Sequence, residues 1–328
     1  MVVVKVGGVV AGMAAVAGLL GWLLIGLFSA PTLVEAPVAV VGGGARVAAI
    51  AERLDARPTL DVTRASSGAA ARTLIAERVV DGAYAPLAKS GRVIVASAAS
   101  VPLARELRTT FRAVDARRGV RTIASDAKPL PADDAAGLTG YLVTLAGVVV
   151  AVLGGWLLEL LAPSIRRGWK SVLGRIGVLA LLSAVTGAVL AGVAALSGIF
   201  DEPPFGFFEG VFYEVAGAVA LLAFGVATIT AFLTSLIGRI LGLVAGLAVF
   251  VVLGAIATSG GLSAPELLPE LWQQAGSALP SRSAIELVRN WAYFDGEAIS
   301  TPLIVLGGYA AGGLVLMLAL SPFRRLPK

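Results

Sequence analysis

Two carboxylates lie inside long apolar runs of this chain, where an ionisable side chain could carry ions or protons. Glu159 falls near the end of one run and Glu214 near the end of another, so neither reaches the middle of a bilayer. Because a proton-driven carrier needs several buried ionisable groups, this pattern argues against one. We expect both carboxylates at the membrane interfaces, with Arg166 or Arg167 within reach of Glu159.

Cysteine and histidine are absent from the sequence, which limits the chemistry further. No disulfide, thiolate nucleophile or histidine-ligated zinc site can form, and the usual general base near neutral pH is missing. We therefore predict no catalytic residue, no metal site and no cofactor in this chain. A membrane enzyme acting on lipids is an alternative that would depend on four carboxylates, Asp201, Glu202, Glu209 and Glu214.

Three consecutive glycines, Gly42, Gly43 and Gly44, follow a predicted strand and open a predicted helix, as phosphate-binding loops do. They lack the G-x-G-x-x-G pattern and the Lys-Ser/Thr pair of a Walker A loop. We interpret them as a tight turn, so this chain is not expected to bind ATP itself. The net charge of +5 does not indicate nucleic acid either, because the distribution of basic residues is explained by membrane topology.

Residues 163–171 form a short basic segment between two apolar runs. It contains Arg166, Arg167, Trp169 and Lys170, and Arg175 follows it. Basic residues hold short loops in the cytoplasm, and tryptophan favours the membrane interface. The segment is therefore a topology anchor, and a sharper hypothesis makes it a docking surface for a cytosolic partner.

Glycines recur at intervals of four residues in two of the apolar runs. One run carries Gly238, Gly242 and Gly246, and the last run carries Gly308 and Gly312. This spacing places small residues on one face of a helix, where two backbones can approach closely in lipid. We predict helix packing at these positions, within one subunit or between subunits.

Six apolar runs determine where all these residues lie, and each is close to or above the roughly 20 residues that a helix needs to cross a bilayer. They occupy residues 7–30, 138–162, 176–200, 211–236, 240–259 and 302–320. Only 14% of the chain is charged, against roughly 25% in soluble domains. The sequence predicts an α-helical multi-pass membrane protein with six transmembrane helices. The first run, within residues 1–30, exceeds the roughly 7–15 residues of a signal-peptide core and is expected to be an uncleaved anchor.

The charges flanking these runs predict the topology. Basic residues without acidic ones flank the ends placed in the cytoplasm, namely Lys5, Arg166, Arg167, Lys170, Arg175, Arg239, Arg324, Arg325 and Lys328. Mostly acidic residues occupy the short loops placed outside, namely Asp201, Glu202, Glu209, Glu266, Glu270, Glu286, Asp295 and Glu297, with Arg282 and Arg289. Because Lys and Arg stay inside, we expect both termini in the cytoplasm and the protein in the cell membrane.

Residues 31–137 form the only sizeable hydrophilic block and are predicted to be a small extracytoplasmic α/β domain inserted after the first helix. Strands are expected at residues 37–41, 59–63, 81–84, 92–96 and 120–124, with helices between most of them. This alternation implies a sheet that is at least partly parallel. Residues 138–328 then form a five-helix domain, in which residues 260–301 are expected to be an amphipathic hairpin at the outer interface.

Three stretches give the chain a resemblance to a known family. They are the helix-then-strand pattern of residues 69–84, the polar approach to the second helix at residues 130–137, and the segment 279–294 before the last helix. Together with the order of the elements, they resemble type-2 ABC transporter permeases, in the branch that includes the phage-infection-protein-like membrane proteins. The resemblance covers nearly the full length, although the exposed domain is short and the fourth and fifth helices are tightly joined.

The resemblance implies a pair of permease subunits, identical or not, whose cytoplasmic loops are gripped by a separate ATPase. Arg166, Arg167, Trp169 and Lys170 would then meet that ATPase. A nearly charge-free set of helices suits a hydrophobic or lipid-like cargo, which would be exported. The alternative is a membrane-anchored receptor or assembly factor that works through residues 31–137.

Overall fold

The computed structural model describes residues 32–161, 169–199 and 210–323, together with Gly18 and Gly21. The predicted first transmembrane helix therefore lies almost entirely outside the described residues, as do Arg166 and Arg167. Two parts follow one another along the described chain. A small mixed sheet with its helices comes first, and a set of long apolar helices comes second.

The sheet domain has five strands and three helices. The strands are β1 (Ala36–Val41), β2 (Leu60–Ala65), β3 (Gly82–Pro86), β4 (Ser90–Val95) and β5 (Arg121–Asp126). The helices are α1 (Ala45–Asp55), α2 (Gly68–Ala76) and α3 (Val101–Arg117). The strand order is β2-β1-β3-β4-β5, in which only the β3–β4 pair is antiparallel. The predicted, partly parallel sheet is confirmed.

Successive side chains of a strand point to opposite faces of the sheet, and both faces of this sheet are buried. Val38 and Val40 point to the face covered by α1 and α3, while Ala39 and Val41 point to the face covered by α2. Ser67 caps the start of α2, since its hydroxyl oxygen accepts a hydrogen bond from the backbone nitrogen of Ala70 (3.1 Å). The β3–β4 hairpin is antiparallel because a three-residue loop cannot cross over the sheet.

The second part is mainly helical, and the structure gives it these elements: α4 (Thr139–Leu161), α5 (Trp169–Leu196), α6 (Val211–Ile237), α7 (Arg239–Gly246), a π-helix (Leu247–Ala257), α8 (Glu270–Ala278), α9 (Pro280–Tyr293) and α10 (Ser300–Phe323). Five described segments are long and apolar enough to cross a membrane: α4, α5, α6, α7 with the π-helix, and α10. Helix α6 is central, because α4, α5, α9 and α10 all pack against it. These features indicate a multi-pass membrane protein.

Two predicted boundaries are wrong. Helix α5 begins at Trp169, not near residue 176, so Trp169 and Lys170 belong to its first turn instead of the preceding loop. The run 240–259 was expected to be one α-helix, but it changes to a π-helix at Leu247. Ser281 of α9 donates a hydrogen bond to the carbonyl of Phe250 inside the π-helical stretch (3.4 Å). The local sequence does not encode this tertiary contact.

The segment predicted to lie as an amphipathic hairpin at the interface is more deeply enclosed than expected. Most of α9 is buried, including Ala284, Ile285 and Leu287, which are 0% exposed. It packs against α4, α6, α10 and the π-helix. Helix α9 is therefore a part of the helical core, and α8 is its more exposed neighbour.

Candidate functional site

The predicted docking residues are divided between described and undescribed parts of the chain. Arg166 and Arg167 lie outside the described residues, whereas Lys170 is exposed in the first turn of α5. The side chain of Trp169 is not described either. Lys170 is therefore the one predicted docking residue whose side chain the structure describes.

A buried ion pair joins the ends of α4 and α5. Glu159, which is 0% exposed, contacts Arg175, which is 5% exposed. Arg166 or Arg167 was the expected partner of Glu159, and Arg175 takes that place among the described residues. Since breaking a buried pair leaves an uncompensated charge, the contact ties the two helix ends together. Arg175 is consequently not part of an exposed basic surface.

The glycines singled out by their spacing occupy different surroundings. Gly242 lies against Thr234 of α6, and Gly246 against Thr230. Gly238 instead forms the turn between α6 and α7, with a positive φ of 96°. Among the described residues, nothing lies within 4 Å of a Cβ built on Gly308 or Gly312. Within the described parts of the chain, these two glycines therefore make no close contact with another helix.

Close helix packing around α6 uses other glycines. Gly155 of α4 faces the backbone of Ala227, and Gly187 of α5 faces that of Ala216. Gly313 of α10 faces the Thr228 side chain. At each position an added Cβ would overlap the neighbour. The sequence spacing did not select these glycines, because each helix contributes only isolated positions to its contact with α6.

The sheet domain meets the helices at a junction formed mainly by the end of α9. Phe294 follows α9 and is 0% exposed, packed in the core cluster beneath the sheet with residues of α2 and β3. The guanidinium of Arg78 lies 4.8 Å from the Phe294 ring centroid. Lys128 completes the contact through an ion pair with Asp295 (2.9 Å).

Asp134 connects the junction to the start of α4. Its Oδ1 atom accepts hydrogen bonds from the backbone nitrogens of Leu138 (3.0 Å) and Thr139 (3.2 Å). N–H groups at the start of a helix have no acceptor within the helix, so Asp134 caps α4. Its Oδ2 atom accepts a hydrogen bond from the Tyr293 hydroxyl (2.8 Å). One side chain thereby links the first turn of α4 to the last turn of α9.

Two carboxyl groups lie close to each other where β3 meets the loop before α8. Burial is the main cause that raises the pKa of Asp81 above its usual range. Burial and the Asp81 carboxylate raise the pKa of Glu266 to about 7. The guanidinium groups of Arg78 and Arg282 partly oppose both shifts, whereas Glu286 adds to that of Asp81. The two carboxyl groups would therefore repel each other if both were ionised.

The raised pKa of Glu266 predicts that the junction weakens as the pH rises. In the folded state the group holds its proton up to about pH 7, whereas the unfolded group loses it near about pH 4.3. Stability is therefore fully present below the unfolded pKa and falls as the pH rises through 7. We expect a loss of about 1–2 kcal/mol between pH 5 and pH 8, since Glu266 is partly exposed.

Thermal unfolding of the detergent-purified protein at pH 5.5 and pH 8 measures this effect. Glu266→Gln should flatten the pH dependence, whereas Glu270→Gln, at an exposed position on α8, should preserve it. If Glu266→Gln keeps the wild-type dependence, the assignment to Glu266 is wrong.

Comparisons with protein-family models, with curated proteins and with solved structures give no significant match. Within the described ranges, the acidic side chains form no group of three that could hold a metal ion. The junction forms a continuous connection from the sheet through α9 to the helices around α6.

Sequence reasoning found the segment that forms this junction but not its role. Tyr293 and Phe294 lie in the segment predicted to be an amphipathic hairpin at the outer interface. The Tyr293 hydroxyl instead donates a hydrogen bond to Asp134, and the Phe294 ring enters the core of the sheet domain. The local sequence did indicate that Phe294 lies at a helix end, since Asp295 and Gly296 follow it directly after an amphipathic helix. The partners of these residues lie more than 150 positions away, so no local pattern identifies them.

Proposed function

We propose that this chain is the membrane-spanning permease subunit of an ABC-type exporter, which moves a hydrophobic or lipid-like cargo outward with a separate ATPase subunit. The observation that carries the proposal is the enclosed helix α9. It packs against α4, α6 and α10 and is joined to the sheet domain through Phe294. A displacement of the helices would consequently reach the extracytoplasmic domain, as expected of a permease with the resemblance described above.

The proposed path of the movement starts at the cytoplasmic ends of α4 and α5. The ATPase would grip Arg166, Arg167, Trp169 and Lys170. The Glu159–Arg175 pair would make the two helix ends move together. Close contact between Gly187 of α5 and Ala216 would pass the movement to α6.

The apolar character of the helices supports the cargo class. Charged residues in the five described spans are confined to positions near their ends, namely Glu159, Lys170, Arg175, Glu214 and Arg239. A polar or ionic cargo would need polar partners along its path. A hydrophobic or lipid-like molecule needs none, and it can reach the helices from the bilayer. A second permease subunit, identical or not, would complete the pathway.

Charge reversal of the basic segment tests the proposal. Changing Arg166, Arg167 and Lys170 to Glu should abolish co-purification of a protein that carries a Walker A loop. It should also abolish the ATP hydrolysis of the purified complex, because the docking charges are reversed. Membrane insertion should persist, because the apolar helices are unchanged and other basic residues still flank the cytoplasmic ends, namely Lys5, Arg175, Arg239, Arg324, Arg325 and Lys328.

The matched control also changes three basic residues to Glu, but in the sheet domain. They are Arg64, Arg92 and Arg121, which are exposed and lie outside the basic segment. This variant should retain the ATPase. Equal retention by both triple variants, or the absence of any ATPase in the wild-type complex, would contradict the proposal and favour a receptor or assembly factor.

A further inference from the structure

A cavity lies beside the junction, near the start of α4. It has a volume of about 430 Å³ and is open on one side. Its walls come from the start of α3, the segment 135–138 that leads into α4, and the loop 261–262 after the π-helix. Because α4 begins at Thr139 and the π-helix ends at Ala257, the cavity lies at the boundary of the apolar spans. It is therefore positioned at a membrane interface.

Arg289 of α9 forms part of the inner wall of this cavity and is only 9% exposed. It donates a hydrogen bond to the carbonyl of Gly260 (3.3 Å). Among the described residues no carboxylate oxygen lies within 4 Å of it. At longer range the Arg78 guanidinium repels its charge, whereas Glu286 and Asp134 attract it. A guanidinium has five N–H donors, so most of its bonding capacity is unused here. A buried cation of this kind favours an anionic partner.

The other residues that line the cavity favour a ligand with an anionic group attached to an apolar part. Arg105 of α3 is the second charged residue of the cavity, and none of the residues that line it is acidic. The hydroxyl-bearing Ser97 and Ser100 add polar groups near the start of α3. Leu138 and Leu262 also line the cavity and are 36% and 43% exposed. Positive charge and exposed leucines thus lie on the same cavity.

We propose that this cavity binds the anionic headgroup of a membrane phospholipid. The phosphate would accept hydrogen bonds from Arg289 and Arg105, and the acyl chains would pass Leu138 and Leu262 into the hydrocarbon. A soluble phosphate would leave both leucines exposed to water, whereas a lipid covers them. The inference goes beyond the proposed export function, since it requires the helices to lie in a membrane but requires no ATPase.

Native mass spectrometry of the purified full chain in neutral detergent tests the site. The probes are phosphatidylglycerol, phosphatidylcholine with the same acyl chains, and inorganic phosphate. Phosphatidylglycerol should bind about tenfold more tightly than phosphatidylcholine, because its net negative charge is not cancelled by a choline. Inorganic phosphate in excess should not displace it.

Arg289→Gln should lower phosphatidylglycerol binding about tenfold and Arg105→Gln several-fold, with phosphatidylcholine binding unchanged. Arg112→Gln is the matched control, because Arg112 is exposed on α3 seven residues from Arg105 and does not line the cavity. It should bind phosphatidylglycerol like the wild type.

Equal binding of the two lipids, or full phosphatidylglycerol binding by both Arg289→Gln and Arg105→Gln, would overturn the proposal. Displacement of the lipid by inorganic phosphate would overturn the choice of a lipid over a soluble anion. If Arg289→Gln fails to fold because it loses the Gly260 contact, phosphatidylglycerol binding by Arg105→Gln decides the outcome, since Arg105 is exposed. These results do not depend on ATPase docking, so the proposed export function can fail while this site stands.

Discussion

Phe294→Ala should detach the sheet domain from the helices, with a loss of about 3–5 kcal/mol at the junction. The phenyl ring is 0% exposed and packs among residues of α2 and β3, including Ala71, Ile75 and Ala83. Removing it leaves a cavity under the sheet and removes the ring on which the Arg78 guanidinium rests. Amide hydrogen exchange in α2 and β3 should become faster by about a hundredfold or more, since a factor of ten corresponds to about 1.4 kcal/mol.

The control for this prediction is Leu271→Ala on α8. Leu271 belongs to the same outer segment but is 72% exposed, so its truncation should change stability by less than about 0.5 kcal/mol. Exchange in α6 should be unaffected by either change. Unaltered exchange in α2 and β3 of the Phe294→Ala variant would show that the junction does not support the sheet domain.

Gly313→Ala should destabilise the helical part, whereas Gly312→Ala at the adjacent position should not. A Cβ at Gly313 would overlap the Thr228 side chain of α6, while a Cβ at Gly312 meets no described neighbour within 4 Å. Overpacking at the first position should cost about 1–3 kcal/mol. The second change should be neutral or stabilising by up to about 1 kcal/mol, because alanine favours a helix more than glycine does.

Thermal unfolding of the detergent-solubilised protein, followed by size-exclusion chromatography, distinguishes the two variants. The spacing of Gly308 and Gly312 in the sequence would predict the opposite order if that face contacted α6. A larger loss for Gly312→Ala than for Gly313→Ala would therefore contradict the observed orientation of α10.

Most of the strands were predictable because they are short apolar or β-branched runs bounded by turn residues. The run at 37–41 lies within β1 (Ala36–Val41), and α3 (Val101–Arg117) is one of the helices expected between the strands. Serine caps also give a local signal, as Ser67 shows at the start of α2. The membrane spans were predictable from the length of the apolar runs. Burying polar groups in lipid is costly, so a spanning segment must be apolar along its whole length.

Features that depend on partners distant in sequence could not be predicted. The π-helix at Leu247–Ala257 accompanies the contact from Ser281, and the enclosure of α9 depends on the space between α4, α6 and α10. Glu159 had several nearby arginines as candidate partners, and only the relative position of α4 and α5 selects Arg175. Arg289 was assigned to an outer segment from its position between two apolar runs, and nothing in the local sequence reveals the cavity that it lines.

The most direct test of the account is the topology, since every proposed role depends on which side each part faces. The sequence contains no cysteine, so single cysteines at the exposed positions Arg92 and Lys170 can be labelled without background. In intact cells a membrane-impermeant maleimide should label Arg92→Cys in the sheet domain. It should label Lys170→Cys only after the membrane is permeabilised. Labelling of Lys170→Cys but not Arg92→Cys in intact cells would contradict the account.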